Sequence, residues 1–371
     1  MKCEWTVLNA FVSLTFLEKS PIMAKEKMTI RIVDPVEYPD WDRLVLCNTD
    51  YSFFHTSAWA KTLVASYGFK PAYFVVPEED RFALMMPLME VNSYLTGKRG
   101  VALPFTDQCR PSTLNEELFN QAVRSAIHRG EERRWRYIEW RDAGHFDDHL
   151  PVSEHFYVHN IDLARPAADL FLSLSDNNRR NIKKAVREGV AVRIERSLDS
   201  IEEFYRLNLI TRKRHGLPPQ PFAFFKNVFE HILARDHGIV VTASHKGRAV
   251  AASVFFHFGK KAIYKYGASD VTYQHLRPNN LVMWEALNWY NAQGFETLSL
   301  GRTEMDNPGL LQFKRTWGGE ERLAKYHRYD LRKRNYVARR SPASAHFESV
   351  FSRLPTGVLR LVGRFFYKHA G

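Results

Sequence analysis

The sequence predicts an α+β protein of two related halves, each a mixed, mostly antiparallel sheet flanked by helices, followed by a basic amphipathic helix. Three observations carry that prediction. The chain has 371 residues, about two domains' worth, and 45% of them are hydrophobic and 25% charged. Such a composition excludes collagen-like, low-complexity and wholly disordered chains. A helix, a run of strands, a second helix and a further strand occur in that order twice. Finally, charge is concentrated at one end: residues 322–371 hold 12 Lys and Arg against 2 Asp and Glu, or +10 of the net +12.

The first half spans 28–150. After a strand at 29–33, residues 55–67 read as a helix closed by Gly68. Strands follow at 72–76 and 81–89, joined by the turn Pro77-Glu78-Glu79-Asp80, and then at 101–105. A helix over 114–129 has a capping box, Thr113 with Glu116, and a stop at Gly130, before a strand at 137–141.

The second half spans 151–335. A strand at 155–163 precedes a polar helix at 176–188, which Gly189 ends. Helices at 199–213 and 222–235 are separated by the loop HGLPPQP at 215–221. Strands at 239–244, 249–258 and 261–269 form a meander, and a helix at 279–292 leads into a strand at 297–301.

Residues 336–371 form the basic tail. Leu354, Val358, Leu361, Val362, Phe365 and Phe366 fall on one helical face, with Arg353, Arg360, Arg364 and Lys368 on an adjacent one. Such a helix either lies in a membrane interface among anionic lipids or docks on its own protein. Residues 1–27 read as a dispensable leader or an over-long start, with no membrane-spanning run. The three cysteines are far apart and make no CxxC pair, which favours a reducing, cytoplasmic setting over a disulfide framework or zinc site. With the tail helix, that setting extends to the inner face of the membrane.

The sequence has no GxSxG, Walker GxxxxGK[ST], GxGxxG or HExxH element. His145 and His149, near Asp147 and Asp148, mimic a metal site but sit in a linker-like stretch, and no metal is expected. Three segments point to anionic ligands. Residues 175–189 crowd Arg179, Arg180, Lys183, Lys184 and Arg187 onto a short helix anchored by Ile182, Ala185 and Val186. Residues 211–221 pair three cations with rigid prolines. Residues 300–318 run out of a strand as a loop carrying Arg302, Lys314 and Trp317. Arg302 has two readings, a ligand contact or a salt bridge with Glu304 or Glu139. Asn280 is a weaker local candidate.

The strings RRNIKKAVREG (179–189), FYRLNLITRKRHGLPPQP (204–221), IYKYGASD (263–270), LRPNNLVMWEAL (276–287), LSLGRT (298–303) and NPGLLQFKRTWG (307–318) resemble the FemAB-like branch of the GNAT N-acyltransferase superfamily. HTSAWAK (55–61) and ALPFTDQC (102–109) look like that group's first domain, so the likeness covers about residues 30–330. The resemblance implies two tandem GNAT-like domains and transfer of an acyl or aminoacyl group to an amine in peptidoglycan or polysaccharide metabolism. An amine attacking an ester or thioester needs a cation or amide donors at the carbonyl oxygen, where negative charge grows.

By resemblance, Lys314 stabilises that transition state and Phe313 positions it, while Asp107 takes the place of a proposed base. Lys61 and Arg212, or Arg214, match residues that hold substrate phosphates. No tightly bound cofactor is implied. The acyl donor is a co-substrate, aminoacyl-tRNA or an acyl-CoA, and the acceptor is a phosphate-bearing envelope precursor or a polysaccharide amine. CoA-binding GNAT enzymes cradle pyrophosphate on an Arg/Gln-x-x-Gly-x-Gly/Ala loop at a helix N-terminus. Here the matching stretch, 274–280, reads QHLRPNN, with neither glycine and with Pro278 removing an amide. That departure favours a carrier other than acetyl-CoA. A CoA-dependent acetyltransferase remains the enzyme alternative. The other is a nucleic-acid or anionic-surface binding module using the 176–189 helix and the tail.

Overall fold

The computed structural model describes residues 29–144, 150–338 and 351–370. The leader at 1–27 and the His145/His149 pair lie outside the described residues. In the first half, β1 (Arg31–Val33), β3 (Tyr73–Pro77) and β4 (Phe82–Met86) make a small antiparallel sheet. Helix α1 (Trp41–Leu46) packs Trp41 against Tyr73 and Phe82 of that sheet, while α2 (Ser57–Tyr67) and α3 (Glu116–Arg133) flank the strands β2 (Lys70–Pro71), β5 (Met89–Ser93), β6 (Gly97–Val101) and β7 (Tyr137–Arg141). Thr56 caps α2 by accepting from the Trp59 amide, and Gly68, at φ 70°, ends it.

The second half runs β8 (Glu154–Asp162), α4 (Ala167–Ser173), α5 (Asp176–Arg187), β9 (Val190–Glu195), α6 (Leu198–Arg214) and α7 (Phe222–His231). The meander β10 (Gly238–His245), β11 (Arg248–Phe258), β12 (Lys261–Ser269) then leads to α8 (Pro278–Ala292), β13 (Thr297–Glu304), α9 (Pro308–Arg315), β14 (Glu320–Asp330) and β15 (Asn335–Tyr336). The tail contributes α10 (Thr356–Ala370).

The two halves share one sheet, in the order β2-β5-β6-β7-β14-β8-β13-β12-β11-β10-β9. Its seam is β14: residues 320–326 pair with β8, and residues 326–330 pair with β7. The cores are shared as well. Trp59 and Leu63 of α2 pack in one cluster with Phe224, Phe225 and Val228 of α7 and Phe256 of β11. In each half the strand after a helix returns parallel: β7 beside β6, β13 beside β12. The β12–β13 pairing covers only Lys261–Ile263 against Thr297–Ser299, after which the strands part.

Several local expectations differ. Asn115, not Thr113, caps α3, and the helix passes Gly130 to end at Arg134 in the left-handed region. A glycine inside a helix stops it only when tertiary packing agrees. Here Gly130 makes room for Leu331 and Trp135, either of which a Cβ would crowd. Residues 102–105 form a loop, whereas 97–101 are the strand. The supposed loop at 300–318 contains α9, and β9 and β14 arise where no strand was expected. Val186, expected to anchor the helix at 176–188, is 60% exposed, while Ile182 and Ala185 are buried. The tail helix docks: Leu359 and Gly363 are buried, and a Cβ on Gly363 would collide with the Pro219 carbonyl. Its other face stays open, with Leu361 67% and Phe365 63% exposed.

Candidate active site

Where β12 and β13 part, the loop after β6 fills the gap. Leu103 and Phe105 both take positive φ, 53° and 61°, an uncommon conformation for such side chains that the surroundings must enforce. Arg141 does so by donating to the carbonyls of Leu103 (3.0 Å) and Thr106 (3.2 Å), and the Tyr326 hydroxyl donates to that of Asp107 (2.7 Å). The loop thereby presents the Asp107 carboxylate to Lys265 of β12, whose Nζ donates to Oδ2 at 2.9 Å.

On the other strand, the β8–β13 register shifts between Ser299 and Arg302. Gly301 takes φ 69° at this bulge, the conformation glycine permits. The bulge turns two carbonyls toward α9, where Lys314 Nζ donates to Gly301 O (2.9 Å) and Arg302 O (2.8 Å). The Arg302 guanidinium lies 4.3 Å over the Phe156 ring and donates to the Tyr326 hydroxyl (3.1 Å). The salt bridge it makes is to Glu304, at 3.7 Å.

Three cations thus gather around one carboxylate. Burial pushes the Asp107 carboxyl up, but Lys265, Arg302 and Lys314 outweigh it and hold the pKa below the usual range. Burial lowers Lys265, only partly countered by Asp107. Burial also brings Lys314 down to about 8, against the opposing pull of Asp107 and Glu304. Asp107 is therefore ionised at neutral pH and a poor proton acceptor.

The cluster opens on a cavity of about 770 Å³ between the halves. Its wall carries Arg99, Arg141, Arg212, Lys265, Arg302 and Arg328 against only Asp107 and Glu139. Glu139 accepts from Arg141 (2.8 and 3.0 Å) and Arg328 (2.6 Å). Burial raises its carboxyl, but the two guanidinia bring it down to about 2. Arg212 donates to the Pro218 carbonyl and, at 2.6 Å, to the Tyr367 hydroxyl of α10, both neutral. Six cations against two anions make a site for an anionic ligand.

Of the residues singled out in the sequence, Asp107, Arg212 and Arg302 line this cavity, and Lys314 lies buried behind its wall, 3% exposed. Phe313 sits edge-on to Trp317 at 5.9 Å. The others are elsewhere. Lys61 is on the exposed face of α2, where its charge reaches His231. Arg214 is exposed beside His215. Asn280 donates to Asn178, which in turn donates to Thr316, tying α8 to α5 and α9. Lys265, Arg99, Arg141 and Arg328 escaped the sequence reading, which named Glu139 only as a partner for Arg302. For Lys265, Arg141 and Glu139 the signal is a charge on a strand rich in apolar and aromatic residues, as in IYKYG and YIEWR; Arg99 and Arg328, in GKRGV and EERLAKYHRYD, give no such signal.

The turn before α8 adds a negative feature. The amides of Tyr273, Arg277 and Asn280 donate to the carbonyls of Asp270, Gln274 and Arg277, and that of Thr272 to the Asp270 carboxylate. Those amides are thus turned to the protein's own acceptors, and Asp270 places a negative charge beside them.

The architecture is a tandem GNAT-like fold. Residues 173–315 match the model of the acetyltransferase (GNAT) domain family, and the chain carries that domain. Searching the curated proteins with the sequence finds no match. Among solved structures, FemX superposes with a TM-score of 0.63 at 13% identity, over 80% of this chain and 97% of its own. The C-terminal domain of a candidate lysylphosphatidylglycerol synthetase from Agrobacterium fabrum gives 0.51 at 12% identity, over 77% and 89%. A tandem GNAT protein from the clavulanic acid biosynthesis pathway gives 0.50 at 10% identity, over 82% and 98%. The two-domain, FemAB-like fold read from the sequence is the fold of the structure.

Proposed function

We propose that this protein transfers an acyl or aminoacyl group to the amine of a phosphate-bearing precursor of the cell envelope. The observation that carries the reading is the cationic cavity opening onto Asp107, Lys265 and Arg302, with Lys314 buried behind them. The acceptor's phosphates are held by Arg212 and the neighbouring guanidinia, which brings its amine to the cluster. The amine nitrogen attacks the donor's carbonyl carbon and the C–N bond forms. Charge passing to the carbonyl oxygen meets the buried cations, Lys314 among them. The tetrahedral species collapses, the C–O or C–S bond to the carrier breaks, and the carrier leaves with the electron pair and takes up the proton that the amine loses. Asp107, ionised, orients Lys265 rather than taking that proton.

The donor this reading favours is an aminoacyl ester such as aminoacyl-tRNA, because the 274–280 loop has neither glycine of a pyrophosphate cradle, carries Pro278 in place of an amide, and turns the Arg277 and Asn280 amides to its own carbonyls. An acceptor embedded in lipid fits the open face of α10, where Leu361 and Phe365 stand beside Arg360, Arg364 and Lys368. Among the described residues no helix is long and apolar enough to cross a membrane.

The test supplies labelled aminoacyl-tRNAs, or acetyl-CoA, with amine-bearing nucleotide-linked muropeptides and amino-sugar precursors, and reads the product mass. Transfer from aminoacyl-tRNA is expected. Transfer from acetyl-CoA, with micromolar acetyl-CoA binding by calorimetry, would replace this reading with the CoA-dependent one.

A further inference from the structure

The cavity read above as the acceptor's anion site is closed on one side by the protein's own last helix. Phe366, Tyr367 and His369 of α10 form part of its wall. Arg99 Nη2 donates to the His369 carbonyl at 2.8 Å, and Arg212 Nη2 to the Tyr367 hydroxyl at 2.6 Å. The His369 carbonyl belongs to the final turn of a helix, where the backbone dipole presents partial negative charge, and the Tyr367 hydroxyl is a side-chain acceptor of the same turn. We infer that this turn is a built-in occupant of the anion site, holding Arg99 and Arg212 in a ligand's place, and that a diphosphate-bearing ligand must displace it to enter. The inference rests on the reading of the cavity as an anion site.

Charge favours the exchange. A carbonyl and a phenol give each guanidinium a neutral partner, whereas a phosphate oxygen gives it a full charge and a hydrogen bond roughly twice as strong. Burial raises the Tyr367 phenol, with Arg212 pulling the other way, so the hydroxyl stays neutral at physiological pH. The helix carries Arg360, Arg364 and Lys368, all exposed and off the cavity wall, and no acidic residue that would draw it to the wall's cations.

What holds α10 is one-sided. Leu359 is buried, Gly363 fits closely against the Pro219 carbonyl, the Tyr367 ring meets Phe105 at 5.7 Å, and His369 Nδ1 lies 3.0 Å from Ser93 Oγ. Val358, Leu361 and Phe365 on the remaining face are exposed. A helix held by one face can leave without disturbing the sheet.

The experiment uses the full chain and inorganic pyrophosphate, followed by calorimetry and by amide hydrogen exchange of residues 356–370. Pyrophosphate is expected to bind the wild type and to speed exchange in that segment about tenfold. Tyr367→Phe, which lacks the hydroxyl competing for Arg212, is expected to bind about fivefold tighter. Should pyrophosphate bind while 356–370 stays protected, or should Tyr367→Phe bind equally or more weakly, displacement is overturned and the anion site stands. If neither protein binds millimolar pyrophosphate, the anion site itself fails and the inference with it.

Discussion

Lys314 shows how one burial sets both charge and pH response. Its ammonium is spent on two strand carbonyls, and desolvation brings its pKa from 10.5 to about 8. At neutral pH it is protonated, and above about pH 8 it loses the charge that the proposed reaction uses. Transfer is therefore expected to decline above pH 8. Lys314→Met should lower kcat by about 10²–10³ with little change in KM, measured by steady-state kinetics on the confirmed substrate. Stability has the opposite sign. The unfolded lysine still binds a proton between about 8 and 10.5, so the wild type gains stability from this group as pH rises through that window. The methionine variant lacks that gain, which thermal unfolding across the window reads directly. The Phe-Lys element was legible in the sequence, because resemblance carries local strings. The pairing of Asp107 with Lys265 was not, since 158 residues separate them and only the closed fold brings them together.

At the scale of elements, β14 carries the lesson. Its sequence, EERLAKYHRYD, has more charged than apolar residues, and most of it falls in the basic stretch 322–371. In the structure its arginines are partners for the first half: Arg328 for Glu139 and Arg322 for Asp142, both at 2.6 Å. Part of the tail's apparent +10 is therefore spent inside the protein. Glu139→Gln would leave Arg141 and Arg328 buried beside a neutral amide and is expected to cost about 3–5 kcal/mol in urea unfolding at pH 7. The Glu139 carboxyl falls from 4.5 to about 2 on folding, so its contribution is present above pH 4.5 and lost as pH drops toward 2. The gap between wild type and variant should accordingly shrink in that window. A gap unchanged at pH 3 would remove Glu139 from the seam's energetics.

For the whole molecule, the continuous sheet and the shared core make the two halves one cooperative unit. Phe224 of α7 is fully buried, with its ring 5.6 Å from Tyr67 and 6.3 Å from Trp59, both of α2. Phe224→Ala is expected to cost about 3–5 kcal/mol and to shift one transition rather than split it. Fluorescence and circular dichroism followed through the same denaturant series test this. Two separated transitions would mean that the halves fold independently despite the seam.

By itself, the sequence determined the alternation of helices and strands, the duplicated order and the GNAT-like fold, because periodicity, caps and recurrent strings are properties of neighbouring residues. It named Asp107, Arg212 and Arg302 as candidates, and the tertiary structure set them on the wall of one cavity. The tertiary structure decided the rest: the seam at β14, the buried cations Lys265 and Arg99, and the fate of Lys61 and Arg214, which face away. It also set α10 across the cavity. The reason is physical. A charge on a strand is read as solvated until the partner that neutralises it is known, and that partner comes from a segment more than a hundred residues away.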